Sequence, residues 1–273
     1  MGSWFTNYFT ERGYNVSTYD VNKTMLSDSR KVKVSSSIST CVRSADFVLV
    51  CVPVSVMPAV IAECLKSMKK GAVISEISSV KTLAFKALRK APQSVVPICI
   101  HPMFGPGASK KAHEKMLMVP VRNKEAELKI LHKVFEHVAV KVLPDAQAHD
   151  RSIGIILGLT YFANIVFAKV VSTHNISSLK QVSGTTFRLQ SIITESILTN
   201  EIDLVSAIVQ ENSYARKYIR QYLKESTAVA KMAYASDSKK LKNELKKIRS
   251  KMQKWQDLQQ SYERMYNIIG NMK

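Results

Sequence analysis

Phe47-Val48-Leu49-Val50-Cys51-Val52-Pro53 is a continuous apolar run closed by a proline. Such a run reads as a strand covered on both faces, the kind found in parallel sheets between layers of helices. Working outward, a helix is expected over 56–68, a strand over 71–77 that ends at Ser78-Ser79-Val80-Lys81, and a helix through Arg89. Val95-Val96-Pro97-Ile98-Cys99-Ile100 is then another buried strand. It delivers His101 to its carboxyl end, where ligands sit in open α/β sheets. The stiff turn His101-Pro102-Met103-Phe104-Gly105-Pro106 holds the imidazole there. Upstream, residues 2–12 read as a helix with Trp4, Phe5, Tyr8 and Phe9 toward one side and Gly13 as its stop. Short strands follow over 15–19, closing at Asp20, and over 32–35, with one or two helical turns over 38–43. Downstream come a strand over 116–121, a helix over 124–138 and a strand over 140–143. Strands alternating with helices imply a parallel sheet with right-handed crossovers, a Rossmann-like α/β domain over residues 1–145.

A dinucleotide fold begins with a strand, a Gly-x-Gly-x-x-Gly turn and only then this helix. Here the sequence opens at the helix. Gly2 reads as the last glycine of the turn, and the first strand and the first two glycines are missing. The expectation is that the start lies about ten residues too late, the length of one strand plus its turn. Asp20, closing the second strand of such a unit, is placed to bind the adenosine ribose and to repel a 2′-phosphate, which favours NAD over NADP. Lys23 nearby works against that choice.

Beyond His149-Asp150 the pattern is purely helical, with helices expected over 151–172, 185–199, 201–212, 213–235 and 237–269. Residues 146–273 therefore form an all-α second domain. Its wide apolar faces and Gly158 point to close helix packing between subunits, hence a homodimer. The uncharged stretch 152–168 is short for a bilayer span and contains Gly154, Gly158 and Asn164, so a helix buried in a protein core or at a subunit interface is expected and no membrane partner. The formal charge of +19 favours anionic partners. Much of it lies between Lys239 and Lys254, opposite Leu241, Leu245, Ile248 and Met252. That is the wet face of an amphipathic helix, without the interleaved aromatics of a nucleic-acid stripe. Four scattered cysteines, with no Cys-x-x-Cys pair and no signal peptide, suit reduced thiols in the cytoplasm. No His/Cys/Asp/Glu group has metal-ligand spacing, so no metal is expected. His113, His132, His137 and His174 carry no pattern.

Six features in order resemble the prephenate dehydrogenase family: Met1-Gly2-Ser3-Trp4-Phe5, Val52-Pro53-Val54, Ser79-Val80-Lys81, His101-Pro102-Met103-Phe104-Gly105-Pro106, His149-Asp150 and Phe187-Arg188-Leu189. The resemblance implies NAD-dependent oxidative decarboxylation of prephenate to 4-hydroxyphenylpyruvate, on the route to tyrosine. By that likeness His101 is the catalytic base, a neutral imidazole within reach of the ring hydroxyl. Ser79 orients the hydroxyl or the histidine, caps the helix behind it, or does both. Gly2, Asp20, Val52, Pro53 and Ser79 line the cofactor, and Arg188 offers its planar fork to a carboxylate.

Two departures stand out. Where many relatives carry a second arginine this sequence has Ser196, and where relatives carry a substrate histidine it has Tyr161. Arg216, with Lys217 and Arg220 on the same helix, is the candidate replacement cation. His149-Asp150 reads chiefly as a helix start, Asp150 complementing the helix dipole, with shaping of the cleft as the other role. The resemblance leaves two further readings open. One is arogenate dehydrogenase, with an amino acid in place of the pyruvyl side chain. The other is a non-catalytic, degenerate relative, if the chain starts at Met1.

Overall fold

The computed structural model describes residues 1–22, 32–109, 114–136 and 138–271. Lys23, His113 and His137 lie outside the described residues. The chain forms two compact units, Met1–Ile153 and Gly154–Lys273. The first keeps eight residues beyond the 145/146 boundary read from the sequence.

The first unit opens with helix α1 (Gly2–Glu11), whose Trp4, Phe5 and Tyr8 are buried. Gly13 follows with a φ of 80°, a conformation open to glycine that ends the helix. Strand β1 (Val16–Thr18) pairs in parallel with β2 (Val32–Val34) in a separate two-stranded sheet. After α2 (Ile38–Val42), a second sheet is built from β3 (Phe47–Val50), β4 (Val73–Glu76), β5 (Val96–Pro102), β6 (Lys115–Val119) and β7 (Ala139–Val142), in that spatial order. Helices α3 (Met57–Leu65), α4 (Lys81–Leu88) and α5 (Lys124–Val134) supply the crossovers. No ladder joins the two sheets among the described residues, so β1 and β3 each have one unpaired edge.

The expected all-parallel sheet needs one correction, since β6 runs antiparallel to β5. A parallel return requires a crossover of a dozen or more residues, usually helical. None is present among the described residues between β5 and β6, so the chain doubles back instead.

Strand alternation sends side chains to two cores. Val48, Val50, Ile74 and Cys99 pack with Met57, Ile61 and Leu88 of α3 and α4. Val73, Ile98, Ile100 and Met118 pack on the other face with Trp4, Phe5, Leu131 and Phe135. The aromatic side of α1 is thus the lid of one core, with Trp4 stacked on Tyr8 at 5.4 Å.

Helix α6 (Ala146–Ile153) closes the first unit by packing on α4. It continues into a π-helical turn, Gly154–Leu159, and then α7 (Thr160–Val171). Together these make one helical run, Ala146–Val171, long and apolar enough by length and composition to cross a bilayer, although its uncharged stretch alone reads as too short. The second unit adds α8 (Ile176–Gln181), α9 (Thr185–Leu198), α10 (Ile202–Gln210), α11 (Ser213–Tyr234), α12 (Lys239–Gln253) and α13 (Leu258–Gly270). The sequence reading missed α8. It also fused α12 with α13, which Asp257 separates by capping Gln259 and Gln260. The close approach expected of Gly158 is made within the chain. A Cβ there would lie 2.5 Å from that of Ala215 on α11.

Candidate active site

Strands β3, β4 and β5 are parallel, so their carboxyl ends share one edge of the sheet. Val52 and Pro53 leave β3 there, Ser78 and Ser79 leave β4, and His101 is the next-to-last residue of β5. The start of α1 reaches the same edge, since a Cβ on Gly2 would stand 3.7 Å from the Cβ of Cys51. Among the described residues no side chain caps the first turn of α1, which leaves its first amides without a side-chain acceptor. Uncapped helix amides of this kind bind phosphate. Asp20 is exposed beyond β1, with Oδ1 accepting from the Asn22 amide at 2.8 Å.

Period-two alternation puts Glu76, Cys99 and His101 on the face covered by α4 and α6. Glu76 and Lys81 are both fully buried. Lys81 donates to Glu76 Oε1 at 2.6 Å and also to the Ile100 carbonyl. The other Glu76 oxygen accepts from the Ser78 amide at 2.7 Å and its hydroxyl at 2.5 Å. Cys99 Sγ lies 3.2 Å from Oε1, and burial holds its thiol well above its ordinary range. The sequence reading gave this pair no role. Its signal was a carboxylate in the run Ala72-Val73-Ile74-Ser75-Glu76-Ile77, which burial forbids without a partner.

Asp150 does complement a helix, but not its own. It sits in the second turn of α6 and caps α4. Its Oδ1 accepts from the Lys81 amide at 2.7 Å, and Oδ2 accepts from the Thr82 amide at 3.0 Å and the Thr82 hydroxyl at 2.6 Å. Ser79 is therefore not the cap. The N-cap position is Val80, which contributes no side-chain bond. The Ser79 hydroxyl sits at the sheet edge on a residue 9% exposed.

The same Asp150 Oδ1 lies 2.9 Å from His149 Nδ1, and His149 Nε2 lies 3.0 Å from His101 Nδ1. All three residues are buried. Burial, then the Lys81 ammonium, then His149 keep His101 well below the usual histidine pKa, so it is neutral at pH 7. Burial lowers His149 too, against the pull of Asp150. Burial pushes Asp150 up, but its hydrogen bonds from His149, Thr82 and the Lys81 amide outweigh that and leave it below its ordinary value. His101 Nε2 has no hydrogen-bond partner among the described residues.

The family model described as prephenate dehydrogenase, nucleotide-binding domain, matches residues 6–143. The chain belongs to the prephenate dehydrogenase family. Members similar to it include the Methanocaldococcus jannaschii protein named "Probable arogenate/prephenate dehydrogenase", 29% identical over 185 residues, which are 64% of this chain and 41% of that one. The T-protein of Enterobacter agglomerans is 24% identical over 229 residues, 81% of this chain and 57% of that one. The chain thus spans about half the length of these curated relatives. Among solved structures, prephenate dehydrogenase from A. aeolicus, in complex with hydroxyphenyl propionate and NAD+, superposes with a TM-score of 0.73. The identity is 18%, covering 94% of this chain and 95% of that one. Synechocystis arogenate dehydrogenase gives 0.67 at 14% identity, covering 93% and 96%. These two show that this chain has the prephenate dehydrogenase fold.

The remaining residues singled out from the sequence lie in the second unit. Arg188 is exposed in the first turn of α9, beside Phe187, which packs 6.1 Å from Phe167 of α7. Tyr161 is half-buried on α7, and burial raises its hydroxyl pKa. Arg216 is exposed near the start of α11. Among the described residues neither guanidinium has an ion-pair partner. Ser196 turns its hydroxyl back to the Ile193 carbonyl at 2.8 Å.

Proposed function

We propose that this chain carries out the NAD-dependent oxidative decarboxylation of prephenate. The observation that carries the reading is the neutral His101 at the carboxyl edge of the parallel sheet, backed by His149 and Asp150. The uncapped start of α1 beside β3, with Gly2, Val52 and Pro53, fits a dinucleotide pyrophosphate, and Asp20 suits the ribose of NAD. When bound, NAD supplies the hydride acceptor.

The rest of the step belongs to this chain. His101 takes the proton of the ring hydroxyl as the carbonyl forms, and Ser79 orients that hydroxyl. Loss of CO2 then moves the carbon–carbon bonding pair into the ring and onto oxygen. His101 returns its proton to that oxygen, giving 4-hydroxyphenylpyruvate with no net proton released. The two substrate carboxylates call for cations, for which Arg188 and Arg216 are the candidates, with Tyr161 as a hydrogen-bond donor. Exposed Ile155, Ile156, Val166, Val170 and Ile193 supply an apolar face suited to a homodimer.

The test is NADH formation by the purified chain with prephenate and, separately, arogenate, each with NAD and NADP. Turnover of prephenate with NAD that is lost in His101→Asn supports the reading. Turnover of arogenate alone moves the assignment to that substrate. Turnover of neither, with no NAD binding by calorimetry, overturns it in favour of a non-catalytic relative.

A further inference from the structure

We propose that His149 and Asp150 are positioning residues that fix the tautomer of His101, making Nε2 its basic nitrogen. The proposal rests on His101 being the base of the reaction above.

The assignment follows from hydrogen-bond bookkeeping along one chain of atoms. An ionised carboxylate only accepts, so the 2.9 Å contact between Asp150 Oδ1 and His149 Nδ1 places the His149 proton on Nδ1. In a neutral His149 the other nitrogen, Nε2, is then an acceptor. The 3.0 Å contact from His149 Nε2 to His101 Nδ1 must in turn carry a proton on His101 Nδ1. A neutral His101 with Nδ1 protonated holds its lone pair on Nε2. That is the nitrogen without a hydrogen-bond partner among the described residues.

Asp150 is itself held from four directions, by His149, the amides of Lys81 and Thr82, and the Thr82 hydroxyl. The origin of the relay is therefore anchored to the first turn of α4. The other ionisable groups of this cluster are Lys81, Glu76 and Cys99. Lys81 and Glu76 neutralise each other at 2.6 Å, and the Lys81 ammonium opposes a second positive charge on either imidazole.

In the reaction the substrate O–H bond breaks and its proton is taken by His101 Nε2. The oxygen keeps that bonding pair and forms the carbonyl, while the ring C–H pair leaves as hydride. The imidazolium so formed donates from Nδ1 to His149 Nε2, and His149 donates to the Asp150 carboxylate. Its charge thus meets an oriented dipole and an anion rather than apolar packing. Without His149 the His101 Nδ1 proton has no fixed acceptor, and the tautomer protonated on Nε2, which is not a base at that atom, competes.

The experiment has two arms. In the first, histidine-selective 15N labelling of the full chain, assigned with His101→Asn and His149→Phe, reads the tautomers of both rings at neutral pH. Nδ1–H for both is the expected result, and Nε2–H for His101 overturns the proposal. In the second arm, kcat is measured for His149→Phe and His149→Gln. A fall of about 10²-fold or more is expected for His149→Phe, with KM for NAD unchanged. His149→Gln, whose amide oxygen can still accept from His101 Nδ1, is expected to recover part of that loss. An unchanged kcat in His149→Phe overturns the proposal. If that variant does not fold, the tautomers of the wild-type chain decide. If the wild-type chain turns over neither substrate, the functional reading fails, while the tautomer measurement still stands or falls alone.

Discussion

Replacing Lys81 with methionine tests the buried ion pair that underlies the site. Lys81 and Glu76 are both inaccessible, and Lys81 Nζ is the only cation on Glu76 among the described residues. Methionine fills similar space but removes the charge and the donor to the Ile100 carbonyl. Breaking one half of a buried pair costs about 3–5 kcal/mol, because the other half stays buried without its partner.

The assay is urea unfolding followed by Trp4 fluorescence in a Trp255→Phe background. Trp4 is buried in the first unit and Trp255 is 83% exposed in the second, so the remaining signal reports the first unit alone. Lys81→Met should fall short of the parent by about 3–5 kcal/mol in this assay. Adding Glu76→Gln, which keeps an acceptor for Ser78, should return stability to within about 1 kcal/mol. A deficit under about 1 kcal/mol would refute the reasoning.

Other consequences are as direct. Gly158→Ala should cost the second unit about 1–3 kcal/mol in thermal unfolding, and Ala215→Gly should restore it, since the clash is with the Ala215 Cβ. The same swap should not rescue Gly154→Ala, whose new Cβ meets the Ala215 amide nitrogen and Tyr214 at 2.9 Å. Burial lowers the pKa of His101 and His149 from 6.5, so the unfolded chain binds the extra protons. The Trp4 unfolding midpoint should therefore be highest above about pH 6.5 and fall as pH drops below it, with a shallower fall in His101→Asn. For the same reason the acid limb of kcat/KM should lie below pH 6.5. Ser79→Ala should lower kcat about tenfold without destabilising α4, because Asp150 rather than Ser79 caps that helix.

The strands and crossover helices of the first unit were legible in the sequence because apolar runs such as Phe47–Val50 fix which residues leave water. The carboxyl-end position of His101 followed from the same rule. What stayed hidden depended on groups far apart in the chain. Asp150 caps a helix that begins 69 residues earlier, and His149 meets His101 across 48 residues. Neither separation leaves a periodic trace. The reversal at β6 was missed because an apolar strand reads the same in either direction, and only its ladder to β5 sets the sense. Gly158 announced a close contact without naming the partner, and the fold chose Ala215 of the same chain. Within the sheet of the first unit, sequence indicates which apolar side chains leave water, since that is a matter of local hydrophobicity and period. Which nitrogen of a buried histidine carries the proton is settled only where distant polar groups are brought within hydrogen-bond range.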